Sequence, residues 1–123
     1  MLNGLLIAES LRLDGALEVA GVSMTRVYRR DVSGSATETQ PATWTYVEFA
    51  AEDDRAEELA AALSRSLLAE GGWYADFTAG DERVLVFADR IFRYPRGDAD
   101  GRAQAQAYGA SVGVPPRQLD WTE

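Results

Sequence analysis

The stretch 71–98, GGWYADFTAGDERVLVFADRIFRYPRGD, constrains the fold more than any other part of the chain. Apolar, β-branched and aromatic residues alternate with polar ones between glycine and aspartate punctuation, which is the pattern of consecutive antiparallel strands. It predicts strands over residues 73–78, 83–88 and 91–94, with turns at Gly80-Asp81 and Asp89-Arg90. Hairpins of this kind are not stable alone in water. The stretch must therefore join a larger sheet, and something apolar must cover it.

The rest of the chain supplies those partners. Residues 44–50, WTYVEFA, form a further strand, with Thr45, Val47 and Phe49 on one face and Trp44, Tyr46 and Glu48 on the other. Residues 24–32 alternate well enough for a strand, and Arg26, Arg29 and Arg30 suit a solvated edge that resists pairing with another chain. Residues 5–10 read as a buried strand, interrupted by Glu9, which reaches water or an arginine. Residues 14–23 form a connector, and residues 33–43, SGSATETQPAT, a mobile loop.

Two helices complete the layout. The first spans residues 53–70, with Asp53 or Asp54 as its cap and Gly71 as its left-handed stop. Its residues Ala56, Leu59, Ala60, Leu63 and Leu67 follow the i, i+3, i+4 spacing of a buried stripe. The second begins at a cap supplied by Asp98 or Asp100 and runs to about residue 112, where Gly113, Pro115 and Pro116 end it. Ala105, Tyr108 and Val112 share one of its faces, and Leu119 and Trp121 fold back on the body. The order β, β, β, α, β, β, β, α predicts one α+β domain over residues 1–123. The expected form is a two-layer sandwich, a mainly antiparallel sheet with both helices on one face. Its β-α-β-β core with a later helix is similar to a ferredoxin-like arrangement.

Composition removes several chemistries. Histidine and cysteine are absent, so the commonest general base, thiolate nucleophiles and zinc sites built on these ligands are excluded. All 12 basic residues are arginine, which rules out Schiff-base chemistry and a P-loop lysine. A net charge of −8 repels phosphate backbones, so no nucleic-acid partner is expected. Asp98-Ala99-Asp100-Gly101 starts like a calcium loop, but the twelfth position from Asp98 is Gly109 where a glutamate is needed. No metal and no cofactor is expected. The N-terminus MLNGLLIAES has neither a basic n-region nor a cleavage site, and its apolar run is too short to span a bilayer. The expectation is a cytoplasmic protein with no membrane partner.

The segments IAESL at 7–11, WYADF at 73–77, Val86-Phe87, Tyr108-Gly109, Gly113-Val114-Pro115 and QLDW at 118–121 resemble those of a family of small bacterial and archaeal α+β proteins of no established activity. The resemblance covers most of the chain outside residues 33–43. It implies one compact domain and transfers no site residue.

What remains is carboxylate, tyrosine and arginine chemistry. Glu9, Glu48 and Asp76 interrupt apolar strands, Tyr28, Tyr46, Tyr74 and Tyr108 could assist them, and Arg93 could hold an oxyanion. If Val47, Phe49, Trp73 and Phe77 face the helices, alternation sends Trp44, Tyr46, Glu48, Tyr74 and Asp76 to the second face of the sheet. Aromatics with polar tips mark surfaces that meet a partner or ligand. The first expectation is a non-catalytic domain that binds a protein partner or forms a homodimer through Tyr46 and Tyr74. The alternatives are a small-molecule-binding protein or acid–base enzyme using Glu48 and Asp76, and an acidic inhibitor protein.

Overall fold

The N-terminal run LNGLLI does not lie at an edge. In a computed structural model, which describes residues 1–121, it forms β1 (Leu2–Ile7), with antiparallel partners on both sides. One is β3 (Thr43–Ala51), flanked in turn by β2 (Ser23–Asp31). The other is β4 (Ala75–Ala79), followed by β5 (Glu82–Phe87) and β6 (Arg90–Pro95). The six strands lie in the order β2-β3-β1-β4-β5-β6, all antiparallel, so the α+β class with an antiparallel sheet holds. A central strand has no edge to solvate, which fits the apolar LLI that makes up its second half.

Register fixes the two faces. Gly4 pairs with Phe49 on one side and Phe77 on the other, and all three face the same way. The two rings meet edge to face, 6.4 Å between centroids, over a strand position that has no side chain. A Cβ on Gly4 would lie 2.4 Å from Phe49 Cζ and 2.5 Å from Phe77 Cβ, so only glycine lets this layer close. On this face α1 (Ala56–Ser66) packs Leu59, Ala60 and Leu63 against Leu6, Phe77, Val84 and Val86. Leu63 is fully buried, as its place in the stripe predicts.

The second helix, α2 (Ala99–Ser111), lies on the opposite face. Its Ala105 and Tyr108 pack with Leu85, Phe87, Tyr94, Val114 and Trp121. Leu85 and Phe87 alternate with Val84 and Val86, so the two clusters are separated by the sheet itself. The expectation of two helices on one face is therefore corrected. So is the ferredoxin-like arrangement. The strand between β3 and β4 comes from the N-terminus, not from the strand after β4.

Local signals explain most element ends. Asp98 caps α2 by accepting bonds from the N–H groups of Asp100 and Gly101, and Gly113 at φ +97° follows its last turn. For α1 the expected ends move inward. Asp53–Arg55 forms a 3-10 turn with no side-chain cap, and the helix stops at Leu67, which turns extended and bridges to Leu11. Gly71 is left-handed, but it serves the turn toward β4 rather than the helix end. Residues 8–10, expected as strand, form another 3-10 turn. There Glu9, partly exposed just past the strand end and within reach of the Arg29 charge, also accepts bonds from the Thr45 N–H at 2.7 Å and the Thr45 hydroxyl at 2.9 Å. No helix among the described residues is long and apolar enough to cross a membrane.

Candidate functional site

Because α2 and the C-terminal tail cover only the β4-β5-β6 end of the second face, the β3-β1-β4 part is left as a floor. A groove of about 580 Å³ lies over it. Its wall is Arg117, Gln118, Asp120 and Trp121 of the tail, with Ser35 of the loop beside them. That volume is in the range of small-molecule sites.

The floor is set by strand register. Glu48 pairs with Leu5, and Leu5 with Asp76, so one row crosses three strands with a carboxylate at each end. The two carboxylate-bearing residues stand two strand spacings apart, about 10 Å. The next row brings Tyr46 beside Ile7, and the row on the other side brings Thr78 beside Arg83. All three tryptophans of the chain reach this groove. Trp44 and Trp73 meet with centroids 5.3 Å apart, and Trp121 stands edge-on to Tyr74 at 5.4 Å. Trp73, assigned by alternation to the helix-covered face, precedes β4 and so escapes its pleat.

Polar contacts hold these parts in place. Arg83, with its side chain only 5% accessible, donates to the Thr78 hydroxyl at 2.6 Å and lies 3.4 Å from the Asp76 carboxylate, which is 23% accessible. Its Nε is sealed from solvent and has no acceptor among the described residues. Burial raises the pKa of Asp76, and Arg83 works against that rise. The Tyr74 hydroxyl donates to the backbone carbonyl of Gln118. Burial, followed by the nearby charges of Asp76 and Asp120, pushes the Tyr74 pKa up. Tyr46 stacks on Tyr28 with ring planes 4° apart, and burial raises its pKa as well. Glu48 is paired with Arg26 at 3.3 Å.

The rim is tied down rather than loose. The buried Gln118 amide donates to the Ser35 carbonyl at 2.7 Å and to Gln40 at 3.0 Å, and Gln40 donates to the Gly71 carbonyl at 2.7 Å. Arg117 adds bonds to the carbonyls of Ser35 and Ala36. The loop expected to be mobile is thus fastened to both the tail and the turn after α1. Such fixing lowers the entropic cost of forming a binding site.

Trp44, Tyr46, Glu48, Tyr74 and Asp76, which alternation sends to the second face, line the groove together, whereas Glu9, Tyr28 and Tyr108 lie outside it. So does Arg93. It pairs with Val84 in the sheet, faces the α1 side and is bonded to Glu82 at 2.9 Å, so it is corrected out of the site. Arg83 takes its place. Sequence reasoning also missed Gln118, Arg117 and Asp120, since nothing local in a Pro-rich tail predicts which strand it crosses.

Chemically, the groove holds charge and aromatic surface. Among the described residues no hydroxyl is hydrogen-bonded to the Glu48 or Asp76 carboxylate, so no nucleophile stands activated by either. The described residues contain no cluster of three or more potential metal ligands. A second cavity of about 300 Å³ lies at the edge of the α1 core, between Leu17, Val22 and Leu59. It is almost wholly apolar and lacks the converging polar groups that orient a ligand. Compared with protein-family models, curated proteins and solved structures, the chain matches none of them.

Proposed function

We propose that this domain is a non-catalytic binder of a small molecule, held in the groove on the second face of its sheet. The observation behind this reading is the convergence of three tryptophans, two tyrosines and three carboxylates on one cavity with a hydrogen-bonded rim. Aromatic walls supply contact area, and a few placed polar groups supply orientation. Self-association through the same face draws less support, because Tyr74 is enclosed within one chain by Trp121 and Gln118. Tyr46, half-buried, is already stacked on Tyr28.

A groove-filling variant tests the reading. Leu5 is half-buried in the middle of the floor. Leu5→Trp places an indole where a ligand would lie. Fragments that change the tryptophan emission of the parent protein should lose their effect on this variant, while cooperative unfolding is retained. Equal fragment binding by parent and variant would remove the groove as the site. A sedimentation-equilibrium mass twice that of the chain would instead favour the competing reading, self-association through this face.

A further inference from the structure

The charged groups facing the groove are not equivalent. Glu48, Asp76 and Asp120 present carboxylates to it, and Arg83 and Arg117 are the guanidiniums that line it. Both guanidiniums are already engaged. Arg83 is sealed beneath the floor against Thr78 and Asp76, and its unsatisfied Nε is inaccessible from the groove. Arg117 is turned to the carbonyls of Ser35 and Ala36. An anion entering the groove would meet three carboxylates, and of the two guanidiniums only the outer Nη1 of Arg117 would be left to receive it, having no carbonyl partner among the described residues.

A cation would find the reverse. Asp76 has one guanidinium contact, at 3.4 Å, which is long for a charge-assisted bond. It has no other hydrogen bond among the described residues, although a carboxylate offers about four lone-pair sites. Its carboxylate is therefore desolvated, incompletely paired and open to the groove. Trp44, Trp73 and Tyr46 line the rest of the groove and offer apolar contact area to the remainder of such a ligand. The net charge of −8 reinforces this at longer range.

The distances also limit the shape of the occupant. Trp44 and Glu48 lie on the same face of β3, four residues apart, which is about 13 Å along a strand. Starting from the reading of this groove as a binding site, we infer that its ligand is an organic cation, with an amine head at Asp76, Glu48 adding negative charge about 10 Å away across the same row, and an apolar or aromatic body lying along β1 toward Trp44 and Trp73. Arg26 does not compete for this head from within the cavity, since it holds Glu48 from the outer strand β2.

A matched series on one skeleton tests the inference, namely 4-phenylbutylamine, 4-phenylbutanol and 4-phenylbutyrate, titrated at millimolar concentration against the full chain. The readout is the emission of Trp44, Trp73 and Trp121, all of which line the groove. The amine should saturate the signal, bind about tenfold tighter than the alcohol and bind tighter still than the acid. Asp76→Asn should weaken the amine severalfold and leave the alcohol unchanged. Glu48→Gln, at a more exposed position, repeats the comparison should loss of Asp76 disturb Arg83. If the acid or alcohol binds as well as the amine, or if both variants bind the amine like the parent, the charge inference falls and the groove remains a binding site. If none of the three moves the tryptophan signal, the inference and the binding reading fall together.

Discussion

Removing Arg83 should cost far more stability than removing Arg83 and Asp76 together. In Arg83→Met the Asp76 carboxylate loses its guanidinium while three-quarters of its side chain stays covered, and Thr78 loses its donor. Breaking a buried pair from one side costs about 3–5 kcal/mol. Because Asp76 is 23% accessible, water from the groove offsets part of this, and about 3 kcal/mol is expected. Asp76→Leu leaves Arg83, 5% accessible, with Thr78 alone, and about 3–4 kcal/mol is expected. The double variant replaces both charges with apolar groups and should cost less than either single one, a coupling of roughly 3 kcal/mol or more. For a domain stabilised by about 5–15 kcal/mol these are large effects. The pH sign follows from Asp76, whose folded pKa lies above its ordinary 3.8. Such a carboxyl is best tolerated in acid, and stability is lost as pH rises through the folded value. Without Arg83 that value rises further, so the Arg83→Met deficit should be deepest near neutrality and shrink toward pH 3.8. Urea unfolding followed by tryptophan emission measures the cycle, with unchanged slopes marking an unchanged unfolded state. An Arg83→Met cost below about 1 kcal/mol, or a double variant equal to the sum of the singles, would refute the assignment of this pair as the buried polar support of the groove.

Three further outcomes are expected. Leu63→Ala, at a fully buried position under the sheet, should cost roughly 2–5 kcal/mol in the same assay, and a midpoint equal to the parent's would show that α1 packs differently. Gly4→Ala forces a Cβ to within 2.5 Å of Phe77 Cβ and should cost about 3 kcal/mol in thermal or urea unfolding, with a neutral result contradicting the closed Phe49–Phe77 layer. Burial alone would raise the Glu9 pKa, but the Thr45 bonds and the Arg29 charge hold it below its ordinary 4.5. Glu9→Ala should therefore cost about 1–2 kcal/mol above pH 4.5 and progressively less as pH falls through the lowered folded value; a deficit that grew in acid would reverse that sign.

The strand content, α1's stripe and the Asp98 cap were legible because each rests on local periodicity or a single turn residue. Coverage of the sheet was misread, yet the signal stood in β5. Its run Val84-Leu85-Val86-Phe87 does not alternate, and a strand apolar at every position is covered on both faces. Read that way, α1 and α2 must lie on opposite sides, and the unshared part of the second face becomes a groove. The choice of Arg93 over Arg83 fails for a related reason. Arg83 has the parity of Leu85 and Phe87 and shares the face of Asp76, whereas Arg93 has the parity of Ile91 on the other face. Trp73 and the Gln118–Gln40 clamp could not be read in this way. One lies outside the pleat and the other joins segments 78 residues apart through side-chain amides, which no periodicity records.

Everything proposed for this domain depends on the second face of the sheet being a ligand site. Backbone and indole N–H shift mapping of the ¹⁵N-labelled protein, titrated with a small fragment library that includes amines, tests it most directly. The shifts should concentrate on Leu5, Ile7, Tyr46 and Asp76 and on the indoles of Trp44, Trp73 and Trp121, with amines giving the largest changes. Shifts that concentrate instead on Leu17, Val22 and Leu59 beside α1, or that show no common locus, would contradict it.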